Sequence, residues 1–292
     1  MSAEDNPGGK QTCGEVPLAV VLISLNEGHN LEGVLEHLAG WAQEIFLVDS
    51  YSEDETVDIA LKHGVHVVQR RFRDFGDQWN FALRELPITA PWTMKLDPDE
   101  RLTPALKASI AAAMKSPETE GIRFKRRLWF MGRPLPARQS ILRAWRTGRC
   151  RFTEVTVNEQ PVVQGRVVAV SGDLEHHDSP DLHHWFEKQN AYTTAEARAQ
   201  FERRAAKGPV PGTWQRRYFW WIPGRYFLMF LYHLVLCGAW RAGRVGWIWA
   251  RLRTDLYRAW EYKLLEMRLR GRGPAERPAR RGQPDPRVKQ YD

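Results

Sequence analysis

Three acidic side chains follow a short apolar stretch, and their spacing is suited to holding a divalent cation. Asp97, Asp99 and Glu100 come directly after residues 92–96, which have the composition of a buried strand. Because Asp97 and Asp99 alternate, both carboxylates can face one point beyond the end of that strand. Hard oxygen ligands at this spacing favour Mg²⁺ or Mn²⁺ held against a substrate diphosphate. Acidic turns are also common on solvated surfaces, so this pattern alone leaves a plain turn open.

The elements around these carboxylates indicate a mostly parallel α/β sheet over residues 16–115, because strand and helix patterns alternate with short connections. Ligands of such sheets bind beyond the carboxyl ends of the strands. Asn26, Glu27 and Asp49 follow two predicted strands and are therefore expected at the same edge as Asp97. This coincidence favours a metal and nucleotide site. The alternatives are turn residues for Asn26 and Glu27 and a helix-capping aspartate for Asp49.

The spacing of Ser52 and Glu55 matches a capping box, which predicts that the helix after the second strand begins at Ser52. Thr103 followed by Pro104 predicts another helix start.

Charge is distributed unevenly along the chain. The formal net charge is +8, but residues 198–292 carry 21 Lys and Arg against 7 Asp and Glu, whereas residues 1–197 carry 22 against 28. An acidic front and a basic rear indicate two tasks.

Composition predicts a disordered lead-in over 1–16, an α/β domain over 17–180, a helical region over 181–270 and a disordered basic tail over 271–292.

Aromatic and basic residues in the helical region are arranged as in a membrane-interface segment. Residues 226–240 form an apolar run of 15 residues, which is shorter than the roughly 20 needed to cross a bilayer. Residues 247–260 place Trp and Tyr among arginines, which favours a helix lying in the membrane interface. A helical subdomain with a tryptophan core is the alternative. No nucleic-acid recognition motif is visible, so we expect no nucleic-acid partner.

The three cysteines, Cys13, Cys150 and Cys237, show neither a disulfide framework nor zinc spacing. They indicate a reducing compartment. The first residues lack the basic and apolar regions of a signal peptide. We therefore expect a cytoplasmic protein, peripheral at the inner face of the cell membrane.

Seven segments of the chain carry a resemblance to a known family: residues 18–27, 46–56, 75–83, 96–102, 157–159, 172–176 and 184–193. Together they resemble the inverting glycosyltransferases of family two, which have the GT-A fold. The resemblance covers roughly residues 17–268. It is strongest to the bacterial branch that adds a sugar to the lipopolysaccharide or lipooligosaccharide core, the β-1,4-glucosyltransferase type. Asn158 departs from the histidine that is usual in this branch, which puts the role of that position in doubt.

The resemblance implies that residues 17–180 are a GT-A catalytic domain followed by a helical, membrane-associating region. It implies transfer of a hexose, with glucose expected, from a UDP-sugar to a lipid-linked core saccharide, with inversion and with Mg²⁺ or Mn²⁺. It assigns nucleotide-sugar contacts to Asn26, Glu27, Asp49, Gln78, Asn80 and Asp97, and metal ligation to Asp97, Asp99 and His176. The alternatives are a polyprenyl-phosphate glycosyltransferase and a non-enzymatic membrane adaptor on a degenerate GT-A fold.

Inversion requires a general base within hydrogen-bond reach of the acceptor hydroxyl. Glu159 is the first candidate and Glu100 the second. The alternative for Glu159 is a salt bridge to Arg143 or Arg146. Four arginines, Arg126, Arg127, Arg138 and Arg143, are candidates to neutralise the diphosphate or to bind a phosphorylated acceptor; the alternative is that they are inert surface residues. For His176 and His177 the alternative is hydrogen bonding at a strand end. A zinc site on His176, His177, His183 and His184 also stays open, although two adjacent pairs suit one tetrahedron poorly.

Overall fold

A computed structural model of the chain describes residues 14–153, 159–205, 222–273 and 282–291. Most of the expected lead-in, residues 1–13, lies outside these ranges. The strands are β1 (Val16–Ser24), β2 (Ala42–Asp49), β3 (His66–Arg70), β4 (Trp92–Lys95), β5 (Glu100–Leu102), β6 (Thr119–Phe130), β7 (Arg133–Arg146), β8 (Cys150–Phe152), β9 (Pro161–Val163), β10 (Arg166–His176) and β11 (Lys289–Tyr291).

Nine of these strands form one sheet in the order β11-β3-β2-β1-β4-β7-β6-β10-β5. The five strands from β11 to β4 are parallel, and β7 pairs antiparallel with β4. Strands β8 and β9 form a separate antiparallel pair. The predicted α/β class with a mostly parallel sheet is confirmed.

The helices are α1 (Gly28–Leu38), α2 (Thr56–Lys62), α3 (Phe75–Glu85), α4 (Pro104–Met114), α5 (Leu182–Ala205), α6 (Arg225–Leu231) and α7 (Gly243–Arg270). A π-helical turn (Tyr232–Leu236) and a 3₁₀ turn (Ala239–Ala242) connect α6 to α7. None of the helices within the described ranges combines the length and the apolar character that a bilayer crossing requires.

Two apolar clusters explain why β1 is hydrophobic on both faces. On one face, Leu18 and Leu22 pack with residues of α1, α2 and α4. On the other, Ala19 and Val21 pack with Trp79 of α3 and with side chains of β2 and β7. A central parallel strand covered on both faces is expected to be a continuous apolar run, as it is here.

The described chain divides into two compact units. Unit 1 contains residues 1–126, 140–174 and 279–292, and unit 2 contains residues 127–139 and 175–278. This division differs from the predicted boundary between an α/β domain ending at residue 180 and a helical region beginning at residue 181. It differs because β6, β7 and β10 each contribute residues to both units. Unit 2 has its own apolar cluster, in which Phe130, Leu135 and Trp185 pack with Trp249 and Ala250 of α7.

Two local predictions were wrong. Helix α2 begins at Thr56 rather than Ser52, because the Ser52 hydroxyl donates to Asp49 and accepts from the amide of Asn26. The predicted disorder of residues 271–292 is wrong for residues 282–291, because β11 pairs with the open edge of β3 and gains its backbone partners there.

Candidate functional site

The turn between β4 and β5 carries the three acidic residues predicted as the chemical centre. The amide of Asp97 donates to the Glu100 carboxylate at 3.0 Å, and the amide of Glu100 donates back to the Asp97 carbonyl at 3.0 Å. These two bonds close the turn and fix its shape. The Glu100 side chain is completely buried, whereas the Asp97 side chain is 35% exposed. Asp99 is buried within unit 1.

Arg143 of β7 binds this turn from the neighbouring strand. One of its nitrogens, Nη2, donates to Asp97 Oδ2 at 2.9 Å and to Glu100 Oε1 at 2.8 Å. Burial opposes ionisation of Asp97, but the charges of Arg143 and Lys95 outweigh it and lower the pKa of Asp97 to about 2. Asp97 is therefore a carboxylate at neutral pH, which is the form that ligates a cation.

Lys95 and Glu159 form an ion pair beside the same strand end. Lys95 Nζ lies 2.8 Å from Glu159 Oε1, and each side chain is 12% exposed. Lys95 Nζ also lies 4.5 Å from the ring centroid of Trp79 and 5.3 Å from that of Phe152. The alternative partners predicted for Glu159 were Arg143 and Arg146. The structure pairs it with Lys95 instead.

Of the two general-base candidates, Glu159 alone has accessible surface. Glu100 is enclosed by Arg143 and by the Asp97 amide, with Arg126 Nη1 3.7 Å from its Oε1. A carboxylate in that position stabilises the turn and cannot reach an acceptor hydroxyl in this structure. Glu159 stays the candidate base.

Asp49 lies at the end of β2 and is completely buried. It accepts hydrogen bonds from Ser24 Oγ at 3.0 Å, from the Ser52 amide at 3.0 Å and from Gln69 Nε2 at 2.8 Å. The parallel register aligns Ser24 with Asp49 and Asp49 with Gln69. Asp49 is thus the centre of a polar row that crosses three strands at their carboxyl ends.

Asn26 and Glu27 form the turn that joins β1 to α1. Asn26 adopts a left-handed backbone with φ of 57°. Its amide donates to Ser52 Oγ at 2.8 Å, and its side-chain oxygen accepts from the Glu53 amide at 2.8 Å. The Glu27 amide donates to Thr56 Oγ1 at 2.9 Å. These bonds tie the turn after β1 to the turn after β2, so Asn26, Glu27 and Asp49 lie in one hydrogen-bonded network.

Gln78 and Asn80 of α3 make well-defined contacts within unit 1. Gln78 is completely buried and accepts from Arg70 Nη1 at 2.8 Å. Asn80 bonds both backbone groups of Phe152 in β8, at 3.1 Å and 2.8 Å. Asn80 therefore positions the short strand that precedes Glu159. Contact of either residue with a nucleotide sugar stays a prediction.

His176 ends β10 and belongs to unit 2. Its Nε2 lies 3.8 Å from Asp178, which also binds Lys188 at 2.9 Å. The four histidines of the zinc alternative have different neighbours. His177 stacks on Trp129 at 4.8 Å, His184 faces Ser179, and His183 is 84% exposed beside Glu187. This arrangement does not favour zinc, whereas ligation by His176 alone stays a prediction.

Asp97 and Asp99 fit a hard divalent cation. Both offer carboxylate oxygens on one short turn, and Arg143 keeps Asp97 in the ionised form. Arg143 Nη1 is buried and meets no hydrogen-bond acceptor among the residues that the structure describes. A buried cationic donor of this kind suits an anionic ligand such as a diphosphate. The turn thus combines ligands for a cation with a donor for an anion.

Comparison with known proteins decides the family. The model of glycosyl transferase family 2 matches residues 19–171, which is more than half of the chain. The lipopolysaccharide core biosynthesis glycosyltransferase LpsC of Rhizobium meliloti (strain 1021) is 31% identical over 246 residues, covering 80% of this chain and 86% of that protein. The chain belongs to glycosyl transferase family 2. The predicted resemblance to lipopolysaccharide core glycosyltransferases is confirmed.

Two solved structures are also similar to this family 2 chain. TarS of S. aureus is 17% identical with a TM-score of 0.41, covering 60% of this chain and 39% of that one. Glucosyl-3-phosphoglycerate synthase of Mycobacterium tuberculosis, solved with Mn²⁺, UDP and phosphoglyceric acid, is 21% identical with a TM-score of 0.33. The match with the synthase covers 37% of this chain and 43% of the synthase chain.

Sequence reasoning missed one residue of this family 2 site and the partners of another. Lys95 lies two positions before Asp97 and was predicted only as part of the strand over residues 92–96. Arg143 was predicted as a partner of Glu159 or as a cation near the diphosphate, but not as the partner of Asp97 and Glu100. Its pairing follows from the antiparallel register of β4 and β7, which aligns Met94 with Ala144. That register has no local signal in the sequence.

Proposed function

We propose that this family 2 glycosyltransferase transfers a hexose, glucose, from a UDP-sugar to a lipid-linked saccharide of the lipopolysaccharide core or a related surface glycan, with inversion. The observation that carries the proposal is the turn at the end of β4, where Arg143 holds Asp97 ionised beside Asp99. Its relation to LpsC supports the acceptor class.

The residues of the proposed site have separate tasks. Asp97 and Asp99 hold Mg²⁺ or Mn²⁺, with His176 as a further ligand, and the cation when bound supplies Lewis-acid stabilisation of the departing diphosphate. Arg143 keeps Asp97 charged and offers Nη1 to a phosphate oxygen. Glu159 accepts the proton of the acceptor hydroxyl. Lys95 orients the Glu159 carboxylate through their 2.8 Å contact.

We place the protein at the cytosolic face of the membrane, where a lipid-linked acceptor is reached. Support comes from six apolar side chains between residues 227 and 240 of unit 2, which we call the patch and which are all largely exposed: Phe227, Leu228, Tyr232, Val235, Leu236 and Trp240. Two arginines, Arg241 and Arg244, follow the patch directly. Aromatic and aliphatic side chains beside cations suit the boundary between acyl chains and anionic headgroups.

The donor is tested by thermal unfolding with Mn²⁺ and a panel of sugar nucleotides. A ligand that binds only the folded state stabilises it, by about 2.7 kcal/mol at a hundred times its Kd. We expect UDP-glucose to raise Tm when Mn²⁺ is present. Asp99→Asn should abolish this effect. Asp255→Asn changes a half-buried aspartate of α7 and should retain it. Equal stabilisation of both variants would contradict the metal role of Asp99.

The reaction is tested by incubating the enzyme with the stabilising donor and a truncated lipopolysaccharide core acceptor. NMR of the product should show a β-linked sugar, since inversion of an α-linked donor gives the β anomer. Asp99→Asn should lower kcat by about 100-fold or more, because Lewis-acid stabilisation contributes several kcal/mol. An α-linked product would refute inversion. Sugar attached to polyprenyl phosphate, with none on the core, would refute the acceptor class.

A further inference from the structure

Residues 282–291, which we call the strap, extend the polar row centred on Asp49 by one more strand. In β11, Gln290 is aligned with Gln69 of β3. Gln290 Nε2 donates to Gln69 Oε1 at 3.1 Å, and Gln69 Nε2 donates to Asp49 at 2.8 Å. The Asp285 amide also donates to Gln69 Oε1, at 2.7 Å. Gln69 therefore connects the strap directly to Asp49.

The strap is attached at three further points of unit 1. The Gly282 amide donates to the Tyr51 carbonyl at 2.7 Å. Arg287 Nη2 contacts Asp58 of α2 at 2.6 Å. The Tyr291 ring packs edge-on against Phe81, with 4.8 Å between centroids. Val288 of the strap is also buried in the apolar cluster that contains Leu18 and Leu22. Apolar packing, these polar contacts and the pairing with β3 together hold the strap in place.

Between the strap and the sheet edge lies a cavity of about 290 Å³. Its inner lining comes from the turn after β2, from α2 and from β3, and its outer lining comes from the strap: Ser52, Asp54, Val57, Asp58 and Gln69 on one side, and Gln283, Asp285, Pro286 and Arg287 on the other. This volume is close to the lower end of the range for small-molecule sites. It lies at the carboxyl ends of parallel strands, where ligands of α/β sheets bind.

The cavity is lined by the residues that hold Asp49, while Asp49 itself is enclosed. Ser52 and Gln69 both donate to Asp49 and both face the cavity. Asp49 has no exposed surface, so a ligand in this cavity contacts its neighbours and the strap. The carboxylates and amides of the lining accept hydrogen bonds, which suits ribose hydroxyls and the N–H of a pyrimidine.

We propose that the strap is the outer wall of the nucleoside end of the donor site, so that its docking sets the affinity for the nucleoside of the donor. This inference rests on the proposed function. It makes Gln283, Asp285 and Arg287 residues that determine nucleoside affinity, and it makes Gln69 a positioning residue that joins the strap to Asp49. The diphosphate end of the donor, at Asp97 and Arg143, does not depend on the strap.

The test compares the full chain with a chain that ends at Arg281, using calorimetric titration with UDP, uridine and pyrophosphate in the presence of Mn²⁺. Loss of the strap should weaken UDP and uridine binding by about tenfold or more, the equivalent of one or two hydrogen bonds to charged groups. Pyrophosphate affinity should be unchanged. Equal UDP affinity of the two chains would overturn the proposal, as would an equal loss for uridine and pyrophosphate.

Point variants keep the test valid if the shortened chain does not fold. Arg287→Ala and Asp58→Ala each remove the same contact between strap and α2, so each should weaken UDP and uridine binding, and the double variant should be no weaker than the worse single variant. Lys289→Ala is the matched control, since this lysine of the strap does not line the cavity. In steady state KM for the donor should rise in the two point variants while kcat is maintained.

Two results separate this inference from the function on which it rests. A full chain that binds UDP and transfers sugar, with Arg287→Ala and Asp58→Ala indistinguishable from Lys289→Ala, refutes the strap and leaves the function intact. A full chain that binds neither UDP nor any other nucleotide diphosphate refutes both.

Discussion

At the scale of single residues, Arg143 is the side chain on which the acidic turn depends. It is buried, and it compensates the charges of Asp97 and of the completely buried Glu100. A buried carboxylate without its cation is unfavourable, because the desolvation cost is no longer offset by an opposite charge. The acidic turn and the strand β7 are therefore interdependent, although 46 positions separate Asp97 from Arg143.

We expect Arg143→Met to lower the free energy of unfolding by about 3–5 kcal/mol, the usual cost of breaking a buried ion pair. Urea denaturation followed by circular dichroism measures this change. Arg149→Met is the control, because Arg149 is exposed and its contact with Glu120 is 3.8 Å long. Surface pairs of that kind contribute less than about 1 kcal/mol. Similar losses for the two variants would show that Arg143 does not stabilise the turn.

His37 gives the fold a pH dependence of its own. Its Nε2 accepts from the Leu102 amide at 3.1 Å. Burial, and then the nearby charge of Lys107, lower the pKa of His37. The folded state thus favours the neutral imidazole. The contribution of His37 to stability is complete above the unfolded-state pKa, about 6.5, and it is lost as the pH falls below that value.

We expect His37→Gln to weaken the pH dependence of stability between about pH 7.5 and pH 5. Over this range the wild type should lose more free energy of unfolding than the variant, which lacks the titrating ring. Urea denaturation at each pH measures the difference. His183→Gln, which changes an exposed histidine of α5, should titrate like the wild type. Parallel curves for His37→Gln and the wild type would exclude the assigned pKa shift.

At the scale of elements, Gly172 sets how closely β10 approaches α4. Its φ is +98°, and a Cβ there would lie 2.5 Å from the Leu106 amide nitrogen. Gly172→Ala combines backbone strain with overlap against main chain that cannot move away, so we expect a loss of about 2–4 kcal/mol. Gly148→Ala has a similar φ of +81° with nothing within 4 Å, so it should cost about 1 kcal/mol. Equal Tm values for the two variants would exclude the close approach.

The strands and helices of the parallel region could be predicted from sequence because their signals are local. The apolar run of β1 and the Thr103–Pro104 start of α4 both appear in the structure as expected. Ser52 shows the limit of this reasoning. Its spacing to Glu55 matches a cap, but its hydroxyl binds Asp49 and Asn26 instead. Those partners are brought near by the pairing of β1 with β2, which no local pattern records.

The same limit applies to the candidate site. Asp97, Asp99 and Glu100 were found because they are adjacent in sequence. Lys95 as the partner of Glu159 was not found, because 64 positions separate the two residues. The strand β11 was also missed, since its composition is that of a disordered tail and its pairing partner is the distant edge of β3.

At the scale of the whole molecule, the uneven charge noted in the sequence corresponds to two compact units with different surfaces. Unit 1 contains the acidic turn and the polar row. Unit 2 carries 21 Lys and Arg against 10 Asp and Glu, and it contains the exposed patch that begins at Phe227. A protein whose acceptor is anchored in lipid gains from such a division, because membrane binding confines the enzyme to the surface on which its substrate diffuses.

Membrane binding of this kind has two separable components, and we expect both to be measurable by sedimentation with lipid vesicles. The first component is the positive charge of the Lys and Arg side chains of unit 2. It should make binding to anionic vesicles stronger than binding to neutral ones, and rising salt should weaken binding to anionic vesicles by screening. The apolar component depends on the patch. Leu236 is 78% exposed there, and burial of a leucine contributes about 1.5–3 kcal/mol. Leu236→Asp should therefore weaken vesicle binding by about tenfold or more.

Leu269→Asp is the matched control, because this leucine of α7 is 80% exposed but lies outside the patch. It should bind anionic vesicles like the wild type, and both variants should keep the wild-type Tm, since neither side chain is part of a core. Equal weakening by the two substitutions would mean that general charge, and not the patch, governs binding. Equal affinity for neutral and anionic vesicles would exclude the basic component, and the membrane assignment would then rest on the patch alone.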